Sequence, residues 1–155
     1  YMDQSSIVFI SIISAAGLAA LVLAAFFVAR AWKHRRRSLE MDDMEGHEFE
    51  YFCADLLRDK GFLDVEVTRG SGDFGVDILA EKDGVTYAVQ CKCYNAPIGI
   101  KAVQEIYAGR DYYDRMVGVV MTNQYFTSAA VDAAKKLKIL LWDRGYLESM
   151  MEELD

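Results

Sequence analysis

The sequence predicts an α/β protein, an α/β/α sandwich around a mixed central sheet, preceded by one transmembrane helix. Residues 7–29 form a long, predominantly apolar run. Beyond it, short β-branched runs alternate with segments of helical period. Between two of those runs, Asp83-Gly84 is a two-residue hairpin turn, so one part of the sheet is antiparallel while later strands return across helices.

The run Ile7 to Ala29 holds 23 residues, of which only Ser11, Ser14 and Gly17 are neither aliphatic nor aromatic. At ~1.5 Å rise per residue it spans roughly 34 Å, enough for a hydrocarbon core of about 30 Å with some tilt. Only Asp3 carries charge ahead of it, and Lys33-His34-Arg35-Arg36-Arg37 follows, with Trp32 at the interface position. The positive-inside rule then sets the N-terminus outside and the remainder in the cytoplasm, at a cell inner membrane. A cleaved signal peptide would carry its positive charge first and end in a small-residue site. Here the charge comes last, and Ala29-Arg30-Ala31 places an arginine in the nearest match. Ala16, Ala20 and Ala24 form a small-residue row through which two copies could assemble as a homo-oligomer. Ordinary alanine usage in membrane helices is the preferred account of that row. Tyr1 in first place leads us to expect a native start further upstream. The expected divisions are residues 1–32 as anchor, 33–43 as basic juxtamembrane segment and charged linker, and 44–155 as the domain.

The chain of 155 residues has 17 basic and 24 acidic side chains, a net charge of −7. Five of the bases and one acid fall in residues 1–39, which leaves 12 against 23 beyond, a net of −11. A basic juncture before an acidic body excludes a uniformly polybasic nucleic-acid coat protein. With one proline and 53% apolar residues, a disordered chain is excluded too. Cys53, Cys91 and Cys93 cannot all pair, which fits a reducing compartment.

Within the domain, Phe49, Phe52, Cys53, Leu56 and Leu57 follow the spacing of an amphipathic helix that starts near Glu45 and stops at Gly61. Val65 and Val67 begin a strand, and Gly70-Ser71-Gly72-Asp73-Phe74-Gly75 is a tight loop. Val76–Glu81 and Val85–Tyr94 are the hairpin strands. Pro97–Tyr112 is a helix with Val103, Ile106 and Tyr107 inward, and Val117–Thr122 a buried strand. Thr127 caps a helix ending near Lys138, Ile139–Trp142 is the last strand, and a short helix starts at Tyr146.

The chemistry concentrates at Asp77 and at Gln90-Cys91-Lys92. Strand alternation turns Gln90 and Lys92 to one face and Cys91 and Cys93 to the other. A lysine amid apolar strand residues needs a partner, and Asp77 at the start of the adjoining strand is the expected one. A carboxylate, an amide oxygen and a lysine at one sheet edge suit a hard cation such as Mg²⁺, with the lysine orienting or deprotonating an attacking water.

On these motifs, from about Met44 to Leu147, the chain resembles the Mrr-like branch of the PD-(D/E)xK restriction-endonuclease superfamily. The matching pieces are Glu48-Phe49-Glu50, the stretch Gly70 to Ala80, Tyr87-Ala88-Val89-Gln90-Cys91-Lys92, Val103, Thr122 and Phe126-Thr127. The resemblance implies a restriction-endonuclease-like fold and Mg²⁺-dependent hydrolysis of DNA phosphodiester bonds, with Mn²⁺ as a substitute and no organic cofactor. It makes Asp77 the metal-binding acid and puts Gln90 where many relatives carry a second acid. It makes Lys92 the catalytic lysine and Glu50 a helix carboxylate supporting the metal, directly or through water. Asp73 and Gln104 are weaker candidates, for loop bracing and phosphate contact on the substrate side. Partners are then DNA and a lipid bilayer, and the role is restriction or defence against foreign DNA. The rival is a catalytically silent, membrane-anchored nucleic-acid-binding or scaffold protein that keeps the fold, which the acidic body and the missing DNA-reading module favour.

Plainer readings stand beside these. Asp73 and Asp77 alone are ordinary turn formers, and Glu50 and Gln104 ordinary helix-surface residues. Cys91-x-Cys93 lacks a second Cys or His pair for zinc, so a core role is preferred. His47 reads as a surface residue, and Lys135, Lys136 and Lys138 as a solvated helix end.

Overall fold

The first helix outlasts its apolar run. The computed structural model describes residues 4–68, 72 and 74–152, and the side chains of these except 4–16, 33, 34 and 36–39. The chain divides into two compact units, Tyr1–Arg37 and Ser38–Asp155. Helix α1 runs over Gln4–Asp43. In the first unit Leu18, Leu21, Val22, Phe26 and Phe27 are all exposed. Among the described residues no helix is long and apolar enough to cross a membrane. The side chains of residues 7–16, the first ten of the apolar run, lie outside the described residues, as do most of the basic cluster and Ala16 of the small-residue row. The transmembrane helix expected from the sequence therefore finds no support among the described residues, and rests on the sequence of residues 7–29.

In the second unit, the charged linker expected at the end of residues 33–43 is instead the end of α1, which runs to Asp43. Met41 is the reason: it is fully buried in the domain core, while charge alone had drawn Glu40, Asp42 and Asp43 into solvent. Asp42 holds the helix end in place. Its Oδ1 accepts from Arg144 Nη1 at 2.7 Å and its Oδ2 from Arg144 Nη2 at 3.0 Å. Asn123 Nδ2 adds a third hydrogen bond at 3.1 Å. Two parallel N–H···O bonds to one carboxylate are both stronger and more directional than a single contact.

The remaining elements follow the predicted order. Helix α2 covers Gly46–Asp59, β1 Leu63–Val67, β2 Ile78–Lys82 and β3 Val85–Lys92. Then come α3 at Ile100–Tyr112, β4 at Val117–Thr122, α4 at Ser128–Leu137, β5 at Ile139–Trp142 and α5 at Arg144–Glu152. Glu48 reaches back to the Glu45 amide at 3.0 Å to start α2, and Thr127 Oγ1 accepts from Ala130 N at 3.3 Å to start α4. The sheet runs β1-β2-β3-β4-β5, its first three strands antiparallel and its last three parallel. Asp83 and Gly84, both at positive φ, close the β2–β3 hairpin, with Lys82 opposite Val85 and Ile78 opposite Val89.

Two cores fill the sandwich. Phe49, Leu57, Ile78, Val89, Met121 and Leu147 pack beneath α2 and α5, and Val76, Ala88, Val103, Ile106, Val120 and Ala134 beneath α3 and α4. Strand β3 therefore sends Val89 one way and Ala88 the other, which fixes the faces of everything after it. Two helix details differ from expectation. Helix α3 starts at Ile100 rather than Pro97, because Ile98 first bridges to the Phe126 segment, donating to Tyr125 O at 2.8 Å. Tyr107 is exposed rather than inward, with the Arg110 guanidinium 4.9 Å from its ring centroid.

The Arg144 hydrogen bonds hold the Asp42 carboxyl below its ordinary value of 3.8, against an opposing effect of burial. A depressed carboxylate contributes stability above its unfolded value and loses it as pH falls through the folded one. Asp42→Asn should therefore cost about 1 kcal/mol at pH 7, a figure kept low by solvent around the pair. In urea melts the gap from the wild type should close as pH drops below that ordinary value.

Candidate functional site

Alternation along β3 brings Gln90 and Lys92 to the α3 face, the face of Ala88. Gln90 is 1% exposed, a long polar side chain in an apolar layer. Its Nε2 donates to Glu105 Oε2 on α3 at 2.8 Å. Its Oε1 is buried and accepts no hydrogen bond; among the described residues the one other buried side-chain N or O atom without a partner is a donor, Arg115 Nε. Leaving such an acceptor unmet in a native interior costs about 1–3 kcal/mol, so it calls for an explanation.

Lys92 finds its ion pair on α3 rather than, as expected, at Asp77: Nζ lies 3.3 Å from Glu105 Oε2. Lys101 Nζ approaches the other oxygen of the same carboxylate at 3.6 Å. Burial alone would raise the Glu105 carboxyl, but the Gln90 hydrogen bond and the Lys92 and Lys101 charges outweigh it and hold the group below the usual range. Beside this pair lies a cavity of about 170 Å³, lined by Lys92, Tyr94, Gly99 and Lys101 among others.

Asp77 sits where the chain enters β2. Its amide donates to Val89 O at 2.8 Å and its carbonyl accepts from Thr68 N at 2.9 Å. With the backbone so fixed, Oδ2 accepts from the Cys91 amide at 2.6 Å, placing the carboxylate on β3 between the Gln90 and Lys92 positions. The preceding loop reaches this point because of two glycines. Gly75 has φ +76°, and a Cβ there would stand 2.8 Å from Gln90 Nε2. A Cβ on Gly109 of α3 would stand 2.5 Å from Val76 Cγ2 and 2.7 Å from Phe74 O. The end of the loop therefore lies flat on α3 and against the Gln90 amide.

Glu50 comes from α2, on the opposite face of the sheet, where it accepts from His47 Nδ1 at 2.9 Å. The Cys91 thiol is pushed well up, first by burial, then by the Cys53 thiol and by the Asp77 and Glu50 charges. Both carboxylates thus act on the same sulfur, and both favour the neutral thiol. All three cysteines are free. His47 is exposed, as expected, and so are Lys135, Lys136 and Lys138.

Asp77, Gln90 and Lys92 are brought together on the hairpin, while Glu50 approaches from the other side of the sheet. Gln104 is exposed on α3, and Asp73 lies outside the described residues. Sequence reading missed Glu105, one position from Gln104. Its signal was spacing: Glu105 sits three residues after buried Ala102 and four before buried Gly109, on the border of the helix's inner stripe.

Among the described residues no group of three His, Cys, Asp or Glu side chains is arranged to hold a metal. Mg²⁺ does not need one: it is commonly bound by one or two carboxylates, with water completing its octahedron. The Asp77 carboxylate and the unmet Gln90 Oε1 are hard oxygen donors of that kind, so the residues present fit such an ion.

A five-stranded mixed sheet between helical layers, with Gln90 and Lys92 on one hairpin strand and Asp77 leading into the other, is a restriction-endonuclease-like fold. Comparison with known families makes the class specific: residues 41–151 match the Mrr catalytic-domain restriction endonuclease family, and the chain belongs to it. Among solved structures it is similar to a protein of unknown function, AF1548, with 25% identity and a TM-score of 0.58, over 67% of this chain and 64% of that one. The DNA modification-dependent restriction endonuclease AspBHI matches in fold at 21% identity and TM-score 0.53, over 68% of this chain and 30% of that one. MspJI restriction endonuclease, solved in complex with a 27-mer oligonucleotide, matches in fold at 19% and 0.53, over 80% of this chain and 31% of that one. The chain thus spans under two thirds of the first of these and about a third of the other two. No curated protein matches it.

Replacing a helical glycine by alanine ordinarily adds up to about 1 kcal/mol of stability. At Gly109 the sign should reverse, with Gly109→Ala losing about 1–3 kcal/mol by overpacking against Val76 and Phe74. Thermal melts read this directly, and a neutral or stabilised variant would mean the loop does not close on α3 as described.

Proposed function

We propose that the chain is a membrane-anchored, metal-dependent nuclease that hydrolyses DNA phosphodiester bonds. The observation that carries the reading is the buried Gln90 Oε1 without a hydrogen bond, on the strand that also carries Lys92 and holds the Asp77 carboxylate. In this reading Asp77 and Gln90 Oε1 would hold Mg²⁺ or Mn²⁺, and Glu50 would support it directly or through water. When bound, the cation neutralises charge that develops on the phosphoryl oxygens. Lys92 orients the attacking water or, once its own proton has passed to the Glu105 carboxylate 3.3 Å away, takes up the proton that the water gives up. Asp73 and Gln104 stand on the substrate side.

Family membership supports nuclease chemistry, and the oligonucleotide bound by MspJI supports DNA as the partner. The net −11 of the chain from Glu40 onward opposes tight DNA binding in general. Locally, however, two ammonium groups converge on one carboxylate beside the 170 Å³ cavity, and exposed Tyr94 offers a stacking face there. Anchoring follows from the sequence of residues 7–29 and the basic cluster after it, with the nuclease in the cytoplasm of an inner membrane. A nuclease held there would meet incoming DNA, which suits restriction or defence. The acidic body is also what the scaffold alternative rests on.

The test is cleavage of supercoiled and linear DNA by the full chain in Mg²⁺, Mn²⁺ or EDTA. Cutting should require the metal and fall by at least about a hundredfold in both Lys92→Ala and Asp77→Ala, the scale of a lost acid–base group. A chain that neither cuts nor binds metal would be the scaffold. For topology, protease added to the outer face of intact cells should leave the domain uncut, and its digestion there would refute the proposed orientation.

A further inference from the structure

We propose that Glu105 is a positioning residue: by accepting from the Gln90 amide nitrogen it turns Gln90 Oε1 toward the cation. For the cation the inference rests on the nuclease reading above, but the amide orientation stands on the geometry alone. The terminal torsion of a glutamine is broad and nearly two-fold, so its N and O ends compete for either direction. At position 90 the choice is decided from one side. Nε2 lies 2.8 Å from Glu105 Oε2, the same oxygen that is 3.3 Å from Lys92 Nζ. Gly75 backs the nitrogen end so closely that even a methyl group would collide with it. A flipped amide would set its oxygen against the Glu105 carboxylate and its two N–H groups toward the cation, unfavourable at both ends. A carboxylate at position 90 would need no such partner, because its two oxygens are equivalent. The amide creates a demand for orientation, and Glu105 meets it.

The test is a double-mutant cycle on Mn²⁺ binding by the full chain without DNA, read by calorimetry. Glu105→Leu should weaken Mn²⁺ binding at least about tenfold, the scale of a lost outer partner of a metal ligand. Glu105→Gln, whose carbonyl can still accept from Gln90 Nε2, should restore most of that loss. In a Gln90→Glu background Glu105→Leu should cause no weakening, since nothing is left to orient. Equal weakening in both backgrounds would overturn the proposal and make Glu105 a direct ligand or a bulk charge. No weakening in the wild-type background would overturn it as well.

A metal-independent readout separates this from failure of the nuclease reading. In metal-free wild type, one Gln90 side-chain amide proton should show the downfield NMR shift of a charge-assisted hydrogen bond, lost in Glu105→Leu. If no Mn²⁺ binds but that shift is present, the nuclease reading fails while the orienting contact stands. An unshifted proton would overturn the contact itself.

Discussion

Glu105 Oε2 accepts from the Gln90 amide at 2.8 Å and lies 3.3 Å from the Lys92 ammonium, so one oxygen on α3 joins Gln90 and Lys92 of β3. This contact spans the two layers that must agree for a site to exist at all. Strand β3 is the middle of the sheet, antiparallel to β2 and parallel to β4, and its register is pinned on both sides. A one-residue slip would exchange Ala88, Gln90 and Lys92 for Val89 and Cys91, burying the wrong set against α3. The apolar pairs above the site therefore enforce the polar pair within it.

The strand end is held from the other direction as well. Just past Lys92, Cys93 Sγ donates to Met41 O and Met44 O, each at 3.3 Å, and the Tyr94 amide donates to Asn123 Oδ1 at 3.0 Å. Asn123 is fully buried and also donates to Asp42, which Arg144 grips through two hydrogen bonds. The last turn of α1, the end of β4 and the start of α5 thus converge where β3 leaves the sheet. Backbone polar groups that would otherwise be stranded in the interior are satisfied there by side chains. The result is a strand whose Gln90 and Lys92 are fixed by packing at one end and by a hydrogen-bonded knot at the other.

Strand and helix order was legible because apolar period, the Asp83-Gly84 turn and the Thr127 cap are local signals. Asp77, Gln90 and Lys92 were legible as a set for the same reason: a hairpin of known turn length fixes which residues face each other. Glu105 was not, because helix-to-strand register depends on how α3 packs, and that turns on Gly109 and Val76 touching across the layers. Gln104, the residue the sequence suggests, lies about 100° around the helix and in solvent. Proximity in the hairpin points Lys92 to Asp77, whereas its ion pair comes from the helix above. Met41 was overlooked because the charges flanking it suggested a linker, and one buried side chain outweighed them.

Anomalous diffraction from crystals of the full chain soaked in Mn²⁺ would locate the cation. A single strong site is expected, bounded by the Asp77 carboxylate and Gln90 Oε1, with Gln90 Nε2 still on Glu105. Density at another place, or an empty map with Gln90 Oε1 taking a hydrogen bond from the protein, would contradict it.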